Sequence, residues 1–162
     1  MLVWQYYRNL ENSLKYFLET NVTTDSVTDI NSVAIPIYIG RQNKQSWTLP
    51  CIAVYIDSDD LSQRLEIGSN KRLERTLIII DIFATSEGER LDLAKWVADT
   101  INDGFTYYAY TVNIATPESP TKVANGLVNV DFLTNRRISL GQTIDEMDAH
   151  RHQISISVWK NS

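Results

Sequence analysis

The sequence predicts an α+β fold, a mainly antiparallel β-sheet with an N-terminal helix and a second helix packed on it, in a single domain over residues 1–162. Three observations carry this. Val3, Tyr6, Tyr7, Leu10, Leu14, Phe17 and Leu18 recur at helical spacing near the amino terminus. Leu77 to Phe83 is a β-branched and aromatic run broken only by Asp81, and it leads into a well-bounded helix. Gln153 to Trp159 alternates strictly, with Ile154, Ile156 and Val158 on one side and Gln153, Ser155 and Ser157 on the other.

Taken in order, residues 2–20 form the first amphipathic helix, whose aromatic stripe (Trp4, Tyr6, Tyr7, Tyr16, Phe17) is wider than one sheet face requires. Core packing explains it, and so does a subunit contact, since Tyr and Trp are enriched at interfaces. Asn21 to Ser32 is rich in Thr, Ser, Asp and Asn and reads as a loop. Val33 to Ile39 and Trp47 to Ile56 read as a hairpin, with Pro36 placing the first strand at an edge. Asp57-Ser58-Asp59-Asp60 follows as an acidic, solvated turn. It is not a calcium loop of the helix-loop-helix type, because the sixth position is Ser62 where Gly is needed and the twelfth is Gly68 where Glu is needed.

Gln63 to Ile67 is a short strand that turns back against Leu73 to Phe83. Ser86, three residues before Glu89, is placed to satisfy the free amides of a helix beginning near Glu87. Leu91, Ala94, Val97, Ala98 and Ile101 make its apolar face, Arg90 lies away from that face, and Gly104 supplies a left-handed closing residue. Tyr107 to Ile114 is a strand, Thr116 to Asn125 with Pro117 and Pro120 a loop, and Val128 to Phe132 a half-buried strand begun by Gly126. Ser139 to Asp148 is a second polar connection.

Composition bounds the chemistry. A net charge of −5 argues against a general nucleic-acid binder, and the Arg136-Arg137 pair is too short to indicate one. The single cysteine, Cys51, excludes an internal disulfide and a cysteine-only zinc site. Its expected role is packing in a strand. The amino terminus has no basic region followed by an apolar core, so no signal peptide is expected, and no window reaches the about 18 apolar residues of a membrane span. Asn21-Val22-Thr23 therefore reads as a chance glycosylation motif. His150 and His152, with Asp148, have a spacing that can chelate zinc or copper, but Arg151 stands between them and neither metal nor cofactor is expected. Asp81 is a candidate buried acid; with no second carboxylate or histidine spaced to support catalysis, a rim position or an arginine partner is expected. No nucleophile elbow, zincin motif, phosphate loop or dinucleotide fingerprint occurs.

The stretch Leu49 to Gly104 carries a family resemblance. A proline-led strand, a segment ending Glu66-Ile67-Gly68, a charged turn, an apolar strand ending Ile80-Asp81-Ile82-Phe83-Ala84, and the helix Glu89-Arg90-Leu91-Asp92-Leu93-Ala94 ending at Asp103-Gly104 resemble the tail terminator and neck (head-tail joining) proteins of tailed bacteriophages. The resemblance implies a structural virion protein with no catalytic residues. It would be assembled in the host cytoplasm into a homo-oligomeric, hexameric ring at the head-proximal end of the tail. Its partners would be copies of itself, the tail tube protein and a neck or stopper protein, with DNA passing through unbound. In that setting Asp57, Asp59 and Asp60 are candidate lumen or turn acids. Trp4, Tyr7, Tyr16, Asp81, Arg136 and Arg137 are candidate subunit-interface residues. The alternatives are a head-completion or stopper protein of the same neck, and a small soluble enzyme or ligand-binding domain.

Overall fold

The computed structural model describes residues 6–40, 46–64, 72–113, 115–138 and 149–161. Among these described residues eight elements follow one another: α1 (Tyr6–Thr24), β1 (Ile37–Ile39), β2 (Cys51–Arg64), β3 (Arg72–Ala84), α2 (Glu87–Ile101), β4 (Phe105–Asn113), β5 (Thr116–Arg137) and β6 (His150–Asn161). The six strands form one sheet in the order β1-β2-β3-β6-β5-β4, antiparallel except for β1 with β2. The expected α+β architecture is the one observed. β3, the apolar run, lies in the interior of the sheet, with Ile78, Ile80 and Ile82 wholly buried beneath the helices.

α1 does more than cover this face. It packs against β4 at one margin of the sheet and against β1 and β2 at the other, so the sheet curls around it. Its polar side chains bond strand backbone at both margins. Ser13 Oγ accepts from Tyr108 N (2.8 Å) and Asn9 Oδ1 from Tyr110 N (3.3 Å) on β4, while Glu11 Oε1 accepts from Ile56 N (2.9 Å) on β2. Amides that a further strand would otherwise satisfy are met by a helix. Leu10, Leu14, Leu18 and Val22 fill the curl.

Several sequence expectations are corrected. α1 continues to Thr24, past the expected stop near residue 20, because Thr20, Asn21, Thr23 and Thr24 each bond the carbonyl four residues back. Val22 anchors that turn in the core. These polar residues are thus helical, not loop. β1 and β2 pair in parallel, not as a hairpin. Between them Trp47 lies on the second face of the sheet, where it stacks on Tyr38 (4.8 Å between ring centroids) and meets Phe83 edge-on (5.8 Å). Cys51, Ala53 and Phe83 complete this aromatic cluster. Cys51 has the expected packing role.

Asp57 to Asp60 is not a turn between strands. β2 runs through it to Arg64, with its register to β3 shifting between Asp57 and Leu61. The separate Gln63 strand is therefore the end of β2, and its antiparallel pairing with β3 is as expected. Thr116 to Asn125 is likewise strand rather than loop, since β5 begins at Thr116 and pairs there with β4 alone. Pro117 and Pro120 are tolerated where one margin of the strand needs no ladder bond. Gly126, with φ of 100°, falls where the β4–β5 register shifts, not at a strand start.

In α2, Ser86 caps the helix by accepting from Glu89 N (3.2 Å), as expected. Its core face is rotated, however. Arg90, Leu93, Ala94, Val97 and Ile101 point inward, whereas Leu91 is 54% exposed. Arg90 turns in because it has buried partners, described below. Gly104 has φ of 84°, the left-handed closure expected of it. The Ser139 to Asp148 connection lies outside the described residues.

Candidate functional site

The densest polar constellation sits where the first turn of α2 meets the end of β5 and the start of β6. Antiparallel register puts His150 and His152 on the same side of β6 as Ile154, facing α2. Arg90 Nη1 lies 2.5 Å from His152 Nδ1, and Arg90 Nη2 donates to Glu87 Oε1 at 2.5 Å. An arginine can only donate, so His152 Nδ1 accepts, and the imidazole proton is carried by Nε2, which faces Asn135 Oδ1. The neutral tautomer is fixed from both sides. Burial, and then the Arg90 charge, hold the His152 pKa below its ordinary value.

Glu87 also lies 3.5 Å from His150 Nδ1 and 3.9 Å from Arg137 Nη1. Its carboxyl is held down at about 2, chiefly by the Arg90 hydrogen bond. This arrangement locks α2 to β5 and β6. It leaves His152 no lone pair for a metal, because Nδ1 is taken by Arg90 and Nε2 carries a proton. Asp148 lies outside the described residues, and among the described residues no three His, Cys, Asp or Glu side chains converge as metal ligands.

On the opposite face, Asp81 is wholly buried and paired with Arg151 (Nη2 to Oδ2, 2.8 Å). Tyr55 donates its hydroxyl to Asp81 Oδ2 (3.2 Å), and Gln153 Nε2 donates to Oδ1 (3.4 Å). Ala53 and Gln153 flank Asp81 in register. The expected arginine partner is present. With donors on both oxygens the carboxylate is committed inside its own chain, so Asp81 has no surface to offer a neighbouring subunit. It is equally unsuited to act as a base.

The remaining candidate residues are at the surface. Tyr7 is 43% exposed, and its ring packs edge-on against Tyr6. Tyr16 is 38% exposed and already engaged: it meets Tyr108 edge-on, and the Lys122 ammonium lies over its ring, lowering the phenol's pKa. Arg136, Arg137 and Asp57 are exposed. Asp59 and Asp60 belong to β2, with side chains outside those described, and Trp4 lies outside the described residues.

Sequence reasoning missed two features. One is the Arg90–His152 contact, which the shared parity of His150, His152 and Ile154 in β6 foreshadows. The other is the apolar surface of β5, where Val123, Leu127, Phe132 and Leu133 are 64, 44, 38 and 57% exposed. Leu127 and Leu133 fall outside the strand alternation read from Val128 to Phe132.

No protein-family model matches the chain, and no curated protein matches it. Among the described residues no helix is long and apolar enough to cross a membrane.

Proposed function

We propose that this chain is a structural subunit of a phage tail or neck, a tail-terminator-like ring protein that caps the tail tube and joins it to the head. The observation that carries the reading is the surface of β5. Four exposed apolar side chains on one strand, Val123, Leu127, Phe132 and Leu133, suit protein–protein contact. The stretch Leu49 to Gly104, on which the resemblance rests, supports it by supplying β2, β3 and α2, with β3 central in the sheet. The Asp81 carboxylate supports a non-enzymatic role, since both of its oxygens accept hydrogen bonds from its own chain. Asp57 in an acidic strand segment, within a net charge of −5, suits a surface past which DNA slides without sticking.

Native mass spectrometry of the full chain, alone and with tail tubes, tests the proposal, with negative-stain microscopy of any complex. A closed ring, or a ring formed on tube ends, is expected. A chain that stays monomeric at about 100 μM, far above the Kd of a specific standard-sized interface, and leaves tube ends bare refutes it.

A further inference from the structure

The loop from α1 to β1 and the first turns of α2 enclose a groove of about 540 Å³, the size of natural binding clefts. Its floor is apolar: Ile35 and Leu93 are buried there, and Val27 and Trp96 half-buried. Trp96 is held in place, because its Nε1 donates to Asp25 Oδ2 (2.9 Å) at the end of α1. Asp25, Glu89 and Asp92 stand around this floor, and no lysine, arginine or histidine lines the groove. Glu89 Oε1 is taken by Thr85 N (2.8 Å) and Thr85 Oγ1 (2.9 Å). Asp92 is exposed, with no hydrogen-bond or ion-pair partner among the described residues.

Two further features border the groove. Ile30, two residues beyond Thr28 in its wall, is 96% exposed. It stands at the tip of a loop pinned by its own hydrogen bonds: Asp29 Oδ1 accepts from Asn31 N (2.8 Å) and Val33 N (2.9 Å), and Thr28 bridges Ala34. In the opposite wall Gly88 lies within α2, where glycine is less favourable than alanine. A Cβ there would meet nothing within 4 Å, so packing inside the chain does not call for the glycine. Its absent side chain keeps that wall of the groove open.

We propose that this groove docks a basic segment of a partner protein. The segment lays the aliphatic stem of an arginine across Trp96 and Leu93, sets its guanidinium among Asp25, Glu89 and Asp92, and covers Ile30 with an apolar residue of its own. Charge complementarity selects this occupant. Nucleic acid or an acidic lipid surface would be repelled by the carboxylates. A single metal ion does not suit them either, since among the described residues no three His, Cys, Asp or Glu side chains converge as ligands. Carboxylates spread around an apolar floor match a planar cation with several donors on an apolar stem. The Trp96 ring adds cation–π attraction, and its bond to Asp25 has already fixed it, so little ordering remains to be done on binding. The site stands whether or not subunits close into a ring.

The test is NMR of the isotopically labelled full chain, with the Trp96 indole resonance assigned through Trp96→Phe and a short peptide alternating arginine and leucine as the probe. The peptide should shift that resonance saturably and more weakly at high salt, and the same peptide with glutamate in place of arginine should leave it unmoved. Asp92→Asn should weaken binding about fivefold, and Gly88→Leu, which fills the groove, at least about tenfold. Asp103→Asn, an exposed acid outside the groove, should change it less than about twofold. Thermal melts check that each variant is folded. A Trp96 resonance indifferent to the arginine peptide, or binding that survives both Asp92→Asn and Gly88→Leu unchanged, overturns the proposal. A shift that appears with rising protein concentration in the absence of peptide, and is lost in Gly88→Leu, gives the groove to a second copy of this chain and overturns the partner protein as its occupant.

Discussion

Replacing Gly104 by alanine should be among the most damaging single-methyl changes in this protein. The residue joins α2 to β4 with φ of 84°, and a Cβ there would lie 2.1 Å from the Val128 carbonyl oxygen and 3.3 Å from its carbon. Two costs add. An alanine in the left-handed region costs about 1–2 kcal/mol. The clash is with backbone that is itself paired, since Val128 faces Phe105 in the β4–β5 ladder. It is relieved only by displacing strands, at about 1–3 kcal/mol for overpacking. The expected loss is about 2–5 kcal/mol, or roughly 5 to 15 °C in Tm for a chain of this size. Urea denaturation, with the m-value checked for constancy, measures it. Gly88→Ala is the control, because a Cβ there meets nothing within 4 Å and helix propensity favours the change by up to about 1 kcal/mol. A Gly104→Ala loss below about 1 kcal/mol, within the range of ordinary substitutions, would refute the geometric argument.

The other expectations concern the two polar clusters. Arg151→Met leaves the Asp81 carboxylate buried without its cation and should cost about 3–5 kcal/mol, while Asp81→Leu combined with Arg151→Met should cost less than Arg151→Met alone. Strictly additive losses in that double-mutant cycle would show that the ion pair is not the unit. For pH, the folded His152 pKa lies below its ordinary 6.5, so below that value the unfolded chain binds a proton that the folded chain resists. The stabilisation from neutral His152 is complete above about pH 6.5 and is lost as pH falls towards the folded pKa. Glu87, held at about 2 against an ordinary 4.5, adds a second loss as pH falls through that lower window. Melting temperatures from pH 8 to pH 3 should fall in these two stages, and His152→Gln should flatten the first. An unchanged slope between pH 7 and 5 in that variant would assign the first stage to another group.

Much of the architecture was legible because its signals are local. Helical periodicity located α1, the Ser86 cap and Gly104 bounded α2, and the alternation of Ile154, Ile156 and Val158 set the facing of β6. The errors share a cause. Asn21 to Thr24, Asp57 to Asp60 and Thr116 to Asn125 are polar stretches that read as loops, yet each is regular structure in the fold. In each case the backbone is placed by something sequence spacing does not display: side-chain bonds to the preceding helical turn, a β3 ladder that resumes at Leu61 after a register shift, a ladder to β4. The rotated face of α2 has the same origin, since Arg90 is buried only because His152, sixty-two residues away in the chain, is there to accept from it.

By itself the sequence determined the α+β class, the central apolar strand and the ends of the second helix, and it left Asp81 either a rim position or an arginine partner. These follow from propensity, periodicity and the cost of an unpaired buried charge, which are properties of segments and residue types. Only the tertiary structure decided that Arg151 pairs with Asp81, that β1 joins in parallel, and that α1 bonds both margins of a curled sheet. Those outcomes depend on which strand lies beside which, and backbone hydrogen bonds, being the same for every residue, leave no mark of their partners in the sequence.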